Sequence, residues 1–445
     1  MSLDKPSIKN SLNNVVSWER EAKLLPLEES QSISPYSSLY LSTFNLEVIS
    51  SSEAPDLVCL SHLRWNFVYQ RPQHLLSRWA KQQRVFFIEE PILGFDESER
   101  LDISKQDGVW VVVPHLPKGL SESAINSIQQ RMIDELFAEA QIHNYLLWYY
   151  TPMAMAFTRH LEPLVTIYDC MDELSLFARS PRSLKDCEAE LFKRADLVFT
   201  GGQSLYEVKR NQHPNVYAFP SSIDKAHFAQ ARNFVEDPVD QADIPHPRLG
   251  FFGVIDERMD LDLLSGIAEA RPDWHLVIIG PVVKIDSALL PRHKNIHYLG
   301  GKNYQELPAY IAGWDVALLP FARNESTRFI SPTKTPEYLA AGKPVVSTSI
   351  RDVVNPYEQL DLVTIADTVT EFVAATERAM NKPDVSKWLL DVDAFLAQTS
   401  WDLTWEGMMQ LIESVIGVEA LPKENLHVST LAGNHSTDLK QQAGK

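Results

Sequence analysis

The chain has 445 residues, 44% of them hydrophobic and 22% charged, which is the make-up of a soluble globular enzyme of about two domains. Its 59 acidic and 41 basic residues give a formal net charge of −18, which argues against nucleic acid and against strong docking on an anionic membrane. Cys59, Cys170 and Cys187 are too few and too scattered for a disulfide framework or a zinc site, and a reduced, cytoplasmic setting fits them.

Residues 1–50 are polar and Ser-rich, with no apolar signal-peptide core, and read as a poorly ordered extension with a short helix near 15–25. No later run approaches the roughly 20 apolar residues of a membrane span. From residue 51, short apolar runs alternate with helical stretches. Strands are expected at 57–60, 84–88, 110–113, 146–149, 165–168 and 197–200. A second series is expected at 249–252, 275–279, 296–298, 316–319 and 345–347. Helices are expected at 73–82, 124–140 and 184–194. Continuous apolar strands with helices between them are the rhythm of a parallel α/β sheet covered on both faces. The rhythm breaks in the polar, Pro-rich stretch before Leu249. The expected organisation is therefore two Rossmann-like domains, 51–228 and 248–400, joined by a linker at 229–247. Residues 401–418 are expected to form a helix and 419–445 a disordered tail. Two such sheets bind ligands beyond the carboxyl ends of their strands, which puts a site in a cleft between the domains.

Four segments carry candidate chemistry. In LSHLRWNFVYQRPQHL (60–76), a loop rich in aromatic, basic and amide groups follows the first strand. His62 and Arg71 are catalytic candidates there, and Arg64, Trp65 and Gln70 are acceptor-side candidates. In YDCMDE (168–173), Asp169 and Asp172 follow a strand, where a carboxylate can act as a general base or cap the next helix. In LGFFGVIDER (249–258), Gly253 lets backbone approach a ligand and Arg258 can meet a phosphate. The next strand ends at Gly280. In RFISPTKTPEYLAAGKPVVS (328–347), Arg328 and Lys334 can contact phosphate, and Glu337 is placed to hold a ribose diol. Asp260-Leu261-Asp262 imitates a metal motif, but its carboxylates diverge on a helix, so no metal site is expected. No GxSxG, Walker loop, HExxH or CxxC pair is present.

These segments resemble the GT-B nucleotide-sugar glycosyltransferases, in the broad group around glycosyltransferase family 4, over roughly residues 55–415. ADLVFTGGQSL, NVYAFPSSID and LGFFG resemble landmarks of the family, and EYLAAGKPVVS resembles the second half of its E-x7-E motif. The segments RWNFVYQRPQHL, YDCMDE, GVIDER and SPTKTPEYLAAG resemble a bacterial subgroup of predicted sugar transferases of cell-surface polysaccharide assembly. The resemblance implies a GT-B fold with an NDP-sugar donor, UDP-linked, in the second domain. It implies Glu337 on the ribose and the 401–418 helix crossing back to the first domain. It further implies a glycan or lipid-linked acceptor in the first domain, no cofactor or metal, and a cytoplasmic site of action, at the inner membrane face or in an assembly complex. Position 329, where the motif has its first Glu, is Phe329. Ser331, Thr333 and Lys334 are the polar groups that can stand in for it. The sugar and the stereochemistry stay open. Alternative readings on the same fold are an NDP-sugar epimerase, a phosphorylase or a non-catalytic assembly partner.

Overall fold

The computed structural model describes residues 54–94, 98–177, 180–234 and 236–419. The expectations for residues 1–50 and for the C-terminal tail lie outside these, apart from the end of the last helix.

Among the described residues the first sheet has nine strands. They are β1 (Asp56–Ser61), β2 (Val85–Glu89), β3 (Ile92–Gly94), β4 (Arg100–Gln106), β5 (Val109–Pro117), β6 (Tyr145–Tyr149), β7 (Val165–Cys170), β8 (Leu197–Thr200) and β9 (Val216–Ala218). Their order is β3-β5-β2-β1-β6-β7-β8-β9, with β4 antiparallel on β5 and every other pairing parallel. The second sheet contains β10 (Arg248–Phe252), β11 (His275–Ile279), β12 (Ile296–Tyr298), β13 (Val316–Leu319), β14 (Val345–Ser347) and β15 (Thr364–Ile365). Its order is β12-β11-β10-β13-β14-β15, all parallel.

The central strands are buried along their whole length because helices cover both faces. Alternate residues of β1 serve opposite cores. Val58 and Leu60 pack with Ile133 and Leu136 of the helix Glu122–Glu139, while Leu57 and Cys59 pack with Leu75, Leu76 and Trp79 of the helix Arg71–Trp79. The last helix, Trp401–Glu419, joins that second core through Trp401, Met408 and Ile412. The second sheet is built the same way: Phe252, Ala317 and Leu319 face Trp314 and Tyr338, and Phe251, Val316 and Leu318 face Leu263, Leu264 and Phe372. The three cysteines are free and buried.

The stretch expected as a linker packs on the second domain: Gln241 and Ile244 lie within it, and Ile244 joins Trp314 and Tyr338 in a core of the second sheet. Gln241 is fully buried and accepts a hydrogen bond from Trp314 Nε1 at 3.0 Å. The hairpin of β4 and β5 was not expected, because β4 is polar and half-exposed. Its two-residue turn, Asp107-Gly108, has φ values of 50° and 85°, as the favoured tight hairpin turn requires.

One buried ion pair ties the first sheet to its neighbouring helix. Arg71 at the helix start donates from Nε and Nη2 to both oxygens of Asp169 in β7, each at 2.9 Å, and from Nη1 to Phe219 O at 2.8 Å. The two side chains are 3% and 0% exposed. Removing one partner would leave the other charge buried alone. Asp169→Ala is expected to cost the first domain about 3–5 kcal/mol, measured as the loss in its urea-unfolding free energy. A cost below about 1 kcal/mol would contradict this role.

Candidate active site

The carboxyl ends of both sheets open on one cleft, with a cavity of about 420 Å³. The second sheet supplies its floor. Strand order reverses between β10 and β13, and Gly253, Gly280 and Phe321 line the cleft there. Gly253 and Gly280 have φ of 148° and 143°, a region that favours glycine. A Cβ on Gly280 would lie 1.8 Å from Gly253 O, so the backbone after β10 and β11 meets at a spacing no other residue permits.

Over this floor stands the short helix Lys334–Ala340. Tyr338 fixes it: its hydroxyl accepts from Phe252 N–H at 2.9 Å, tying the helix to the end of β10. Glu337 therefore faces the cleft beside Lys334, with Nζ and Oε2 3.7 Å apart. Lys334 Nζ donates to Thr333 Oγ1 at 2.9 Å and sits 5.0 Å from the centre of the Phe252 ring. Glu337 is 7% exposed, and its Oε2 has no hydrogen-bond partner. Burial raises its carboxyl from the ordinary range to about 7, against the opposing pull of Lys334. A buried carboxylate with an unsatisfied oxygen beside a lysine is poised to accept hydroxyl groups.

Arg258 lines the same cleft, held on Asp256 through Nε (3.0 and 3.1 Å) and Nη2 (2.8 Å). Across the gap, Trp65, Gln70, Arg71 and Asp172 come from the first domain. Burial raises the Asp172 carboxyl, and Arg258 and Lys284 oppose that shift from the second domain.

The structure thus brings Gly253, Arg258, Gly280, Ser331, Thr333, Lys334, Glu337, Asp172, Arg71, Trp65 and Gln70 to one cleft. Four candidates are corrected. Asp169 is fully buried and spent on Arg71, so it is not placed to take a proton from a substrate. Arg64 donates to Glu89 Oε2 at 2.9 Å and braces the loop rather than facing the cleft. His62 does not line the cleft; burial lowers its imidazole to about 4. Arg328 is exposed in a separate groove with Glu173, Glu188 and Glu325. Arg71 reaches the cleft, but its guanidinium nitrogens are bound to Asp169 and Phe219 O.

Tyr304, Lys302 and Asp107 also line the cleft and were not foreseen. Tyr304 stacks on Tyr69 of the first domain at 4.6 Å and on His227 at 4.2 Å, so the two domains meet through aromatic faces beside Glu337. The Gly300-Gly301 pair before it and the Asp-Gly turn at 107–108 are the sequence signals that mark these loops.

Residues 246–382 match the family described as "Glycosyl transferases group 1". The fold matches solved glycosyltransferases over four-fifths of the chain. A sucrose-phosphate synthase from Thermosynechococcus elongatus superposes with a TM-score of 0.64 at 13% identity, covering 82% of this chain and 100% of the other. The chain is a glycosyltransferase of GT-B fold. A second neighbour of this glycosyltransferase is Anabaena Alr3699/HepE, solved in complex with UDP and glucose, at a TM-score of 0.57 and 12% identity, over 81% of this chain and 100% of that one. Among curated proteins it is similar to the "Putative teichuronic acid biosynthesis glycosyltransferase TuaH" of Bacillus subtilis (strain 168). The two are 26% identical over 283 residues, 56% of this chain and 68% of the relative.

The Glu337 carboxyl gives a pH test. Only its ionised form accepts two hydroxyl hydrogen bonds, so affinity for a diol-bearing probe, UDP, is expected to rise as pH passes upward through about 7 and to fall below it. The phosphate of UDP ionises nearby, so the readout is the difference from Glu337→Gln. The variant is expected to lose the Glu337 step in a calorimetric pH series and keep the phosphate's own. Superimposable wild-type and variant profiles would contradict it.

Proposed function

We propose that the chain transfers a sugar from an NDP-sugar, UDP-linked, to a glycan or lipid-linked acceptor in cell-surface polysaccharide assembly. The observation that carries this reading is Glu337: a buried carboxylate with an unsatisfied oxygen, beside Lys334 and above the Gly253–Gly280 floor. The named roles of TuaH and the UDP bound to HepE support it.

In this reading Glu337 accepts the two ribose hydroxyls. The pyrophosphate lies against Lys334, Arg258 and the backbone of 331–334, with Ser331 and Thr333 as further donors. An acceptor hydroxyl, bound against Trp65, Gln70 and Asp172, attacks the anomeric carbon. The bond from that carbon to the diphosphate breaks, and its electron pair leaves with UDP. Lys334 and Arg258 stabilise the charge that develops there, without a metal. The acceptor proton passes to Asp172 if the configuration inverts, or to a departing phosphate oxygen if it is retained. Closing the cleft through the Tyr69–Tyr304 stack limits hydrolysis by water. In this reading the transfer takes place in the cytoplasm, either free or at the inner face of the membrane. Among the described residues no helix is long and apolar enough to cross one.

Glu337→Ala is expected to weaken UDP binding about 10- to 100-fold, the loss of hydrogen bonds to a charged group, with the thermal melting profile unchanged. Unaltered affinity by calorimetry would remove the ribose role. Turnover is expected to survive EDTA, and a strict divalent requirement would contradict the roles of Lys334 and Arg258.

A further inference from the structure

The loop after β7 carries one ring across to the second domain. Phe177 ends the short helical turn Leu174–Leu176 and is buried. Among the described residues it belongs to none of the apolar cores of either domain. It meets two cations instead. Arg258 Cζ lies 5.8 Å and Lys284 Nζ 5.5 Å from the centre of its ring. Asp172, in the same loop, feels the same pair: both cations oppose the rise that burial imposes on its carboxyl.

The two cations stand on paired segments of the second domain. Ile255 N–H donates to Pro281 O at 2.9 Å and Val283 N–H to Ile255 O at 3.0 Å, which laces the chain after β10 to the chain after β11. Lys284 has φ of 62°, a left-handed conformation seldom taken by a residue with a Cβ. Asp256 accepts from Nε and Nη2 of Arg258, and Nη1 makes no hydrogen bond among the described residues. Arg258 lines the cleft, and Phe177 does not.

An aromatic face attracts a cation without taking any of its N–H groups. A carboxylate in the same place would consume a donor and cancel charge that a diphosphate needs. Phe177 therefore orients the guanidinium and keeps water from one side of it, while Nη1 stays available to a ligand. Excluding water strengthens the charge interaction that Arg258 then makes. The ring belongs to one domain and the cations to the other, so the arrangement exists only where the domains are together. We propose that Phe177 is a positioning residue for sugar transfer: it sets Arg258 on the leaving diphosphate and makes full phosphate binding conditional on apposition of the two domains. This rests on the sugar-transfer reading above and adds to it a residue outside the cleft.

The test is calorimetry on the full chain with UDP and, separately, with uridine, which lacks the phosphates. Phe177→Leu keeps an apolar side chain and removes the ring. It is expected to weaken UDP binding about 5- to 10-fold, the range of a partly desolvated cation–π contact, and to leave uridine within twofold of wild type. Phe177→Tyr, which keeps the ring, is expected to restore UDP affinity to within twofold. In an Arg258→Ala background, Phe177→Leu is expected to cost less than a further twofold. A role in packing alone would lower UDP and uridine affinity together, and that result overturns the proposal. Unchanged UDP affinity in Phe177→Leu, or additive losses in the double variant, overturns it as well. A wild-type chain that binds neither ligand would overturn the sugar-transfer reading itself, and this inference with it.

Discussion

A parallel sheet covered by helices on both faces has only its strand ends left for chemistry. Both sheets of this glycosyltransferase obey that constraint, and the placement of every functional group follows from it. The second sheet presents Gly253 and Gly280 at its carboxyl edge, and the first presents Asp172 and the loop leading to Arg71. The edges are held face to face by contacts that cross the gap. Asp352 accepts from Ser204 N–H at 3.0 Å, Ser221 donates to Ser331 O at 3.1 Å, and Tyr69 stacks on Tyr304. The helix Trp401–Glu419 follows the second domain in the chain yet packs in a core of the first, so the last segment of chain also braces the pair.

Within the cleft, the decisive question for each charge is whether the protein already satisfies it. Arg71 and Asp169 satisfy one another with two hydrogen bonds, and their burial makes them a structural unit. Arg258 is oriented by Asp256, which is itself 3% exposed and so holds the guanidinium in one place. Lys334 and Glu337 differ: 3.7 Å is an ion pair without a hydrogen bond, and Oε2 of Glu337 has no other partner. The desolvation cost of that carboxylate is what raises its pKa, and a ligand bringing hydroxyl donors offsets it.

What could be read from the sequence follows the same division. Gly253, Lys334 and Glu337 were legible because strand, turn and helix signals a few residues away fix their positions. All eleven expected strands formed, and many of them are continuous apolar runs. Asp169 and Arg328 were misread because their roles depend on partners distant in the chain. Arg71 lies 98 residues from Asp169, and nothing near YDCMDE marks that pairing. The β4 strand was overlooked because it is polar on an edge, although its Asp107-Gly108 turn carried the signal. Tyr304 was missed because it is one aromatic in a loop, and only the facing Tyr69 and His227 give it a role.

Phe329 can now be placed in physical terms. Its ring packs against a core of the first domain, under the guanidinium of Arg328 at 5.1 Å, in a groove that also holds Glu173, Glu188 and Glu325. A carboxylate at this position would give up that apolar contact with the core of the first domain. The position is thus committed to joining the domains, while its neighbours Ile330 and Ser331 reach the cleft. The polar groups on this side of the cleft lie further along the same wall, at Ser331 and Thr333, and the loop before Tyr304 adds Lys302 and Asn303 to the lining. Glu337 is placed separately from position 329, through the hydroxyl of its neighbour Tyr338 on the end of β10.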